Sequence, residues 1–257
     1  MMLTNYAKYD RLNFGKIFFL QSLIWVNTGG FMQYEIKGTP LPVLICNVAE
    51  GETIVTEQGG MSWMTPNMVM ATNAGGSFGK AMARKFSGES MFQNTYTAQG
   101  GPGQIAFASS FPGEILAIQI GNGKTIVAQK TAFLACEAGV SMRVHFQRKA
   151  GAGFFGGEGF IMQKFEGEGM VFLEIDGAVI TYDLLPGQSM LIDTGHLAVM
   201  DDTVSIDIES IKGLGNKLFG GEGFFNTKVT GPGRVWLQTM PASAIAAAVT
   251  PFIPTAR

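Results

Sequence analysis

The sequence predicts an all-β fold, and three observations predict it. Glycine contributes 35 of 257 residues and charged residues only 15%, against 46% hydrophobic residues, a balance that suits many turns between half-buried strands better than long solvated helices. Within three hairpin segments apolar residues recur two or four positions apart, the period of a strand with one buried face. Finally, one glycine frame occurs three times: "FSGESMFQNTYTAQGGPGQIAF" (86–107), "FGGEGFIMQKFEGEGMVFL" (155–173) and "FGGEGFFNTKVTGPGRVWL" (219–237). Each reads F-x-G-E, a strand, G-x-G and another strand, which is a β-hairpin whose glycines supply positive φ at the turn.

Taken in order, residues 1–31 are an N-terminal extension. Its apolar run "GKIFFLQSLIWV" (15–26) follows Lys8, Arg11 and Lys16, but is too short to span a bilayer and lacks an A-x-A-like cleavage site. It is expected to pack as an amphipathic strand or helix, unless Met32 is the natural start and 1–31 an upstream translated stretch. From Met32 a strand pattern begins at once. "AEGETIVTEQGGMSWMTPNMVM" (49–70) then aligns without gaps to "LPGQSMLIDTGHLAVMDDTVSI" (185–206), placing Gly51 on Gly187, Gly59 on Gly195, Met68 on Val204 and Met70 on Ile206. Residues 111–142 fit the same block with about ten inserted residues around "GNGKTIVAQK", which puts Gly113 and Val140 in the matching places. In the hairpins Phe92, Ile161 and Phe225 coincide, as do Tyr96, Phe165 and Val229, then Ile105, Val171 and Val235, then Phe107, Leu173 and Leu237.

Residues 32–241 are therefore expected to form one domain of three tandem β units, about 40–109, 110–177 and 178–241. All-strand units of this size predict a closed or sandwich-like arrangement with approximate threefold internal symmetry. After Pro241 the pattern stops. "ASAIAAAVTPFIP" predicts one or two turns of Ala-rich helix ended by Pro251, in a tail (242–257) that packs on its own domain or on a neighbouring subunit.

The same residues weigh against several functions. Net charge is −2 and the 18 Lys and Arg are scattered, so no basic stripe is available to neutralise many phosphates, and nucleic acid is not the expected partner. Cys46 and Cys136 lie in apolar settings without CxxC spacing, which fits buried thiols in a reducing compartment: bacterial cytoplasm, or mitochondria in a eukaryote. The "GGEGFF" stretch lacks the following helix that a phosphate loop needs. Ser109, Ser110 and Ser189 have no nucleophile-elbow surroundings, so no enzyme activity is expected, and no cofactor or metal is expected either.

Three sets of residues remain as candidates. Glu89, Glu158 and Glu222 occupy the acidic position shared by all three hairpin frames; each serves its own turn as a hydrogen-bond acceptor, or the three together form a cation or ligand site. Asp193 and His196 in "DTGHLAVM" are expected to share a local hydrogen bond across the glycine turn, the sharper alternative being ligand contact. Met61, Trp63, Met64 and Met68 in "MSWMTPNMVM" are either core filling or an adaptable surface for a partner or subunit, and alternation puts Met68 and Met70 on one face.

The ordered blocks "EGETIVTEQGGMSWM", "RKFSGESMFQNTYTAQGGPGQIAFA", "PGEILAI", "AFLA", "GGEGFIMQKFEGEGMVFLE" and "PGQSMLIDTGHLAVM" resemble the altered inheritance of mitochondria protein 24 family over about 32–241. That resemblance implies a double-stranded β-helix of the tryptophan RNA-binding attenuator protein-like type, with three tandem units. It implies little biochemistry: bacterial members are largely uncharacterised, and the mitochondrial branch is linked to inner-membrane organisation. The superfamily's namesake binds RNA through repeated basic residues. Here Thr95, Lys164 and Lys228 share a position, with Glu166 and Glu168 beside the middle one, so that route is not supported. The expected function is a non-enzymatic assembly or binding module, homo-oligomeric and with an unknown protein partner, the alternative being a small-ligand-binding protein with a pocket between units or subunits.

Overall fold

Wherever a glycine turn lets an alternating segment fold back, a strand finds an antiparallel neighbour. The computed structural model describes residues 32–72, 93–148, 159–210 and 225–253; the extension 1–31 lies outside them. The described residues are all-β apart from short helical turns and one helix near the C-terminus, and their strands form several antiparallel sheets.

A leading strand, β1 (Gln33–Lys37), is followed by three sets of six. The first is β2 (Val43–Val48), β3 (Thr53–Glu57), β4 (Trp63–Met64), β5 (Met68–Thr72), β6 (Gln93–Ala98) and β7 (Gly103–Ala108). The second is β8 (Gly113–Ile120), β9 (Ile126–Gln129), β10 (Phe133–Glu137), β11 (Val140–Arg148), β12 (Phe160–Gly167) and β13 (Gly169–Asp176). The third is β14 (Val179–Leu184), β15 (Ser189–Asp193), β16 (Leu197–Asp201), β17 (Ser205–Ser210), β18 (Phe225–Thr230) and β19 (Gly233–Gln238).

Within each set the pairing is the same. The sixth strand lies between the first and third, as β7 does between β2 and β4, β13 between β8 and β10, and β19 between β14 and β16. The fifth lies between the second and fourth, as β6, β12 and β18 do. Register follows suit: Ile54 opposes Tyr96, Ile126 opposes Phe165 and Met190 opposes Val229, so the aligned hairpin positions are equivalent in space. Successive sets join through β3 with β10 and β9 with β16.

One repeat assignment needs correction. The turn glycine equivalent to Gly51 and Gly187 is Gly123, not Gly113: all three adopt left-handed backbone, with φ of 81°, 78° and 82° for Gly51, Gly187 and Gly123. Each sits between the first and second strands of its set. "GNGKTIVAQK" is thus no insertion but the turn and β9 themselves, whereas Gly113 opens β8 and pairs with Asp176. The P-G-E of the second set (112–114) resembles the E-G-E (50–52) and P-G-Q (186–188) of the other two but lies at a different turn, which misleads a comparison made by residue type.

Because the sets share ladders, they share cores. One cluster gathers Val55 from the first set, Phe133, Cys136, Phe165 and Val171 from the second, and Ala198 and Val199 from the third. Another joins Val127 and Met162 to Leu197, Met200, Val229 and Val235. Both thiols are buried and unpaired in disulfides, and burial first, then the charge of Glu137, pushes each well above the ordinary thiol range. They are unreactive filling.

Lys164 on β12 reaches Asp202, just beyond β16, at 2.6 Å, with only 15% and 28% of the two side chains exposed. That hydrogen bond holds the Asp202 carboxyl below the usual carboxylate range. Since the folded-state value is depressed, the stabilisation is present above the ordinary Asp value and lost as pH falls through the depressed one. Lys164→Met is expected to cost on the order of 0.5–1 kcal/mol at neutral pH. Urea denaturation repeated between neutral pH and the acid limb should show the difference from wild type shrinking as Asp202 protonates; a constant difference would mean the ion pair contributes nothing.

The helix α1 (Ala242–Val249) begins after Pro241 and passes into a 3-10 turn, Thr250–Phe252, that contains Pro251. No residue of α1 is buried, and Phe252 and Ile253 are exposed beyond it. The tail therefore leaves an apolar end uncovered by the described residues.

Candidate functional site

Asp193 ends β15, and the chain then turns through a 3-10 segment, Thr194–His196. The expected Asp193–His196 hydrogen bond gives way to two others. Asp193 Oδ1 caps the turn by accepting from the Gly195 backbone N–H at 3.3 Å, while His196 Nδ1 donates to the Gln238 carbonyl at 2.7 Å. Gln238 Nε2 in turn donates to the Gly195 carbonyl at 2.8 Å and to Gln129 Oε1 at 3.2 Å. Beside them lies an open hollow of about 360 Å³, walled by Ile180, Tyr182, Leu191 and Ile192 and touched by Asp193 and His196.

The methionine cluster divides in two. Met68 is buried with its sulfur and Cγ against Gly103, where a side chain would have no room. Met61 is half-buried, but Trp63 and Met64 on β4 are exposed, and so is Met70, which alternation had placed beside Met68. β5 leaves the core after its first residue, so period two no longer separates buried from exposed there. β4 itself is short and, among the described residues, is held by β7 alone, with Trp63 opposite Ala106 and Met64 opposite Ile105. The turn after it is fixed by Thr65 Oγ1 donating to Asn67 Oδ1 at 2.6 Å and by Asn67 Nδ2 donating to the Gly101 carbonyl at 3.0 Å.

Glu89, Glu158 and Glu222 lie outside the described residues. A different acidic position shows a repeated role that residue-type comparison missed. Glu137 accepts from the Met170 backbone N–H at 2.6 Å, Asp201 from that of Arg234 at 2.8 Å, and Thr65 Oγ1 from that of Gln104 at 3.0 Å. Met170, Arg234 and Gln104 occupy one ladder position in their sets, so one side-chain oxygen secures the start of the sixth strand three times. Glu137 also accepts from Met32 N at 2.6 Å; burial raises its pKa, with the two backbone hydrogen bonds pulling the other way. The gap-free block alignment sets Thr65 on Asp201, which was the available signal, but Thr and Asp look unrelated until their common acceptor role is seen. These carboxylates are structural.

Among the described residues no group of three or more His, Cys, Asp and Glu converges as a metal site would, and no helix is long and apolar enough to cross a membrane. The family model described as mitochondrial biogenesis AIM24 matches residues 34–240, nearly the whole strand array. The chain belongs to the AIM24 family. An uncharacterized protein of Streptococcus pyogenes serotype M6 is 30% identical to this AIM24 protein over 236 residues, covering 87% of this chain and 92% of the relative. A crystal structure of a Streptococcus pyogenes protein superposes with a TM-score of 0.70 at 24% identity, covering 86% of this chain and all of the other. That likeness concerns the fold alone. Neither relative carries a stated activity that the AIM24 strand array could inherit.

Proposed function

We propose that this protein is a non-enzymatic, homo-oligomeric assembly module whose three strand sets form a double-stranded β-helix of the tryptophan RNA-binding attenuator protein-like type, with approximate threefold internal symmetry. The reading treats 32–241 as one domain and places it in a reducing compartment, the cytoplasm of a bacterial host. The identical pairing in the three sets supports the architecture. The observation that carries the function is where the apolar surface lies: Trp63, Met64, Val69 and Met70 are exposed on β4 and β5, and Ile180, Tyr182 and Leu191 on β14 and β15. Apolar clusters of this kind on strand surfaces are what interacting proteins present.

Native mass spectrometry of the gently purified protein tests it. The expected result is a stable multiple of 27.5 kDa without a stoichiometric adduct. A monomer at micromolar concentration would overturn the reading. The hollow beside His196 favours a second function, binding of a small and largely apolar ligand, and a copurifying small-molecule adduct lost in His196→Ala would support it instead.

A further inference from the structure

We infer that β15 of one molecule pairs with β4 of a second copy, so that the protein assembles head to tail by repeating once more, between molecules, the junction it makes twice within itself. This deepens the homo-oligomer reading above and rests on it; what is added is the pair of edges and their register.

Within the chain, the second strand of one set always pairs with the third strand of the next. Val55 of β3 opposes Cys136 of β10, and Ile54 opposes Glu137. Val127 of β9 opposes Met200 of β16, Ile126 opposes Asp201, and Ala128 opposes Val199. The two junctions share one register, because Ile54 and Ile126 are equivalent through their partners Tyr96 and Phe165, while Cys136 and Met200 are equivalent through Val171 and Val235. Continuing the series, the second strand of the third set is β15, and the third strand of the first set is β4. They belong to different sheets, and each is the outermost strand of its own among the described residues. The shared register then places Leu191 opposite Met64 of the second copy, Met190 opposite Thr65 and Ile192 opposite Trp63.

Burial singles out these edges. Val55 and Val127 are 0% exposed at the two internal junctions, whereas Leu191, in the same position, is 60% exposed. Cys136 and Met200 are 0% exposed, and Met64 is 36%; Ala135 and Val199 are 0% exposed, and Trp63 is 50%. The side chains are apolar at all nine places, yet only the terminal ones lack cover. A bare strand edge also offers a row of backbone N–H and C=O groups that a strand from another molecule satisfies by addition. The hollow shares Leu191 and Ile192 with this edge, so an arriving β4 would lie against its rim. A second copy fits better than an unrelated partner because the internal junctions already define the complement in this chain. Contact between two different edges is heterologous, so the assembly closes into a ring or runs on as a filament.

The test uses the full chain carrying Leu191→Cys, Met64→Cys, or both, treated with a short bismaleimide; the native thiols are buried and react last. The double variant is expected to give a covalent ladder on a denaturing gel, and each single variant no cross-linked dimer. In parallel, Leu191→Lys and Met64→Lys, both at exposed positions, should each lose the higher assemblies while keeping the wild-type circular dichroism spectrum. Mixing the two should restore one species only, a dimer, since each molecule retains one intact edge. A wild type that is oligomeric by native mass, but whose double variant gives no ladder, would sink these edges and leave the homo-oligomer standing. A covalent dimer from either single variant would show like meeting like and overturn the head-to-tail contact. A monomeric wild type would remove both.

Discussion

Phe165→Ala is expected to destabilise the protein by about 3–5 kcal/mol, read as a lowered urea midpoint with an unchanged slope. The ring is fully buried and packs 5.7 Å from that of Phe133, in the cluster that draws residues from all three strand sets. Removing it leaves a cavity that a sheet scaffold cannot collapse around, because the backbone on both sides is fixed by ladders to β9 and β11. Phe165→Leu, which keeps most of the volume, should cost less than about 1.5 kcal/mol. Phe252→Ala, at an 84% exposed position, should stay within about 0.5 kcal/mol. A loss below about 1 kcal/mol for the alanine variant would show that the sets do not share this interior. Two separate unfolding transitions would show that they do not unfold as one domain.

The shared core explains why so much of the architecture was legible in one sequence. Tyr96, Phe165 and Val229 line up by spacing, and they line up again in the ladders because each faces the same second-strand position of its own set. The block 49–70 maps on 185–206 without gaps because both contain the same succession of three turns, each followed by a strand. The second set defeated that comparison at Gly113, since a tripeptide such as P-G-E marks a turn without saying which one.

The candidate site was less legible, for a related reason. Trp63 and Met64 are apolar like their equivalents Ala135, Cys136, Val199 and Met200, so residue type leaves core filling and adaptable surface both open; whether a strand finds a neighbour depends on where the series of sets begins and ends in space. Asp193 and His196 are close enough in sequence to bond each other. The 3-10 turn between them instead brings the Gly195 N–H to the carboxylate and swings the imidazole to Gln238 on β19, 42 residues away in the chain. Sequence neighbours compete with ladder neighbours, and only the fold shows which is nearer.

Gly167→Ala is expected to cost about 2–6 kcal/mol, and it separates the two reasons for which this chain uses glycine. Gly167 has φ of 110°, outside the range an L side chain adopts comfortably, and a Cβ there would run into the carbonyl oxygen of Gly139. Backbone strain of about 1–3 kcal/mol is joined by about 1–3 kcal/mol for forcing apart a packed contact, and the obstructing atom is backbone, so no rotamer change relieves it. The approach is part of the architecture: the Gly139 carbonyl also accepts from the Glu168 N–H at 3.2 Å, and Val140 and Gly167 face each other where β11 meets β12. Gly51 has φ of 81° but open space around it, so Gly51→Ala should cost only about 1–2 kcal/mol, from conformation alone. Asparagine tolerates left-handed backbone, so Gly51→Asn should recover most of that loss, whereas Gly167→Asn should recover none because its Cβ meets the same carbonyl. Equal recovery at both positions, measured by urea denaturation, would mean that conformation alone matters and that the close passage of the two turns carries no weight in the fold.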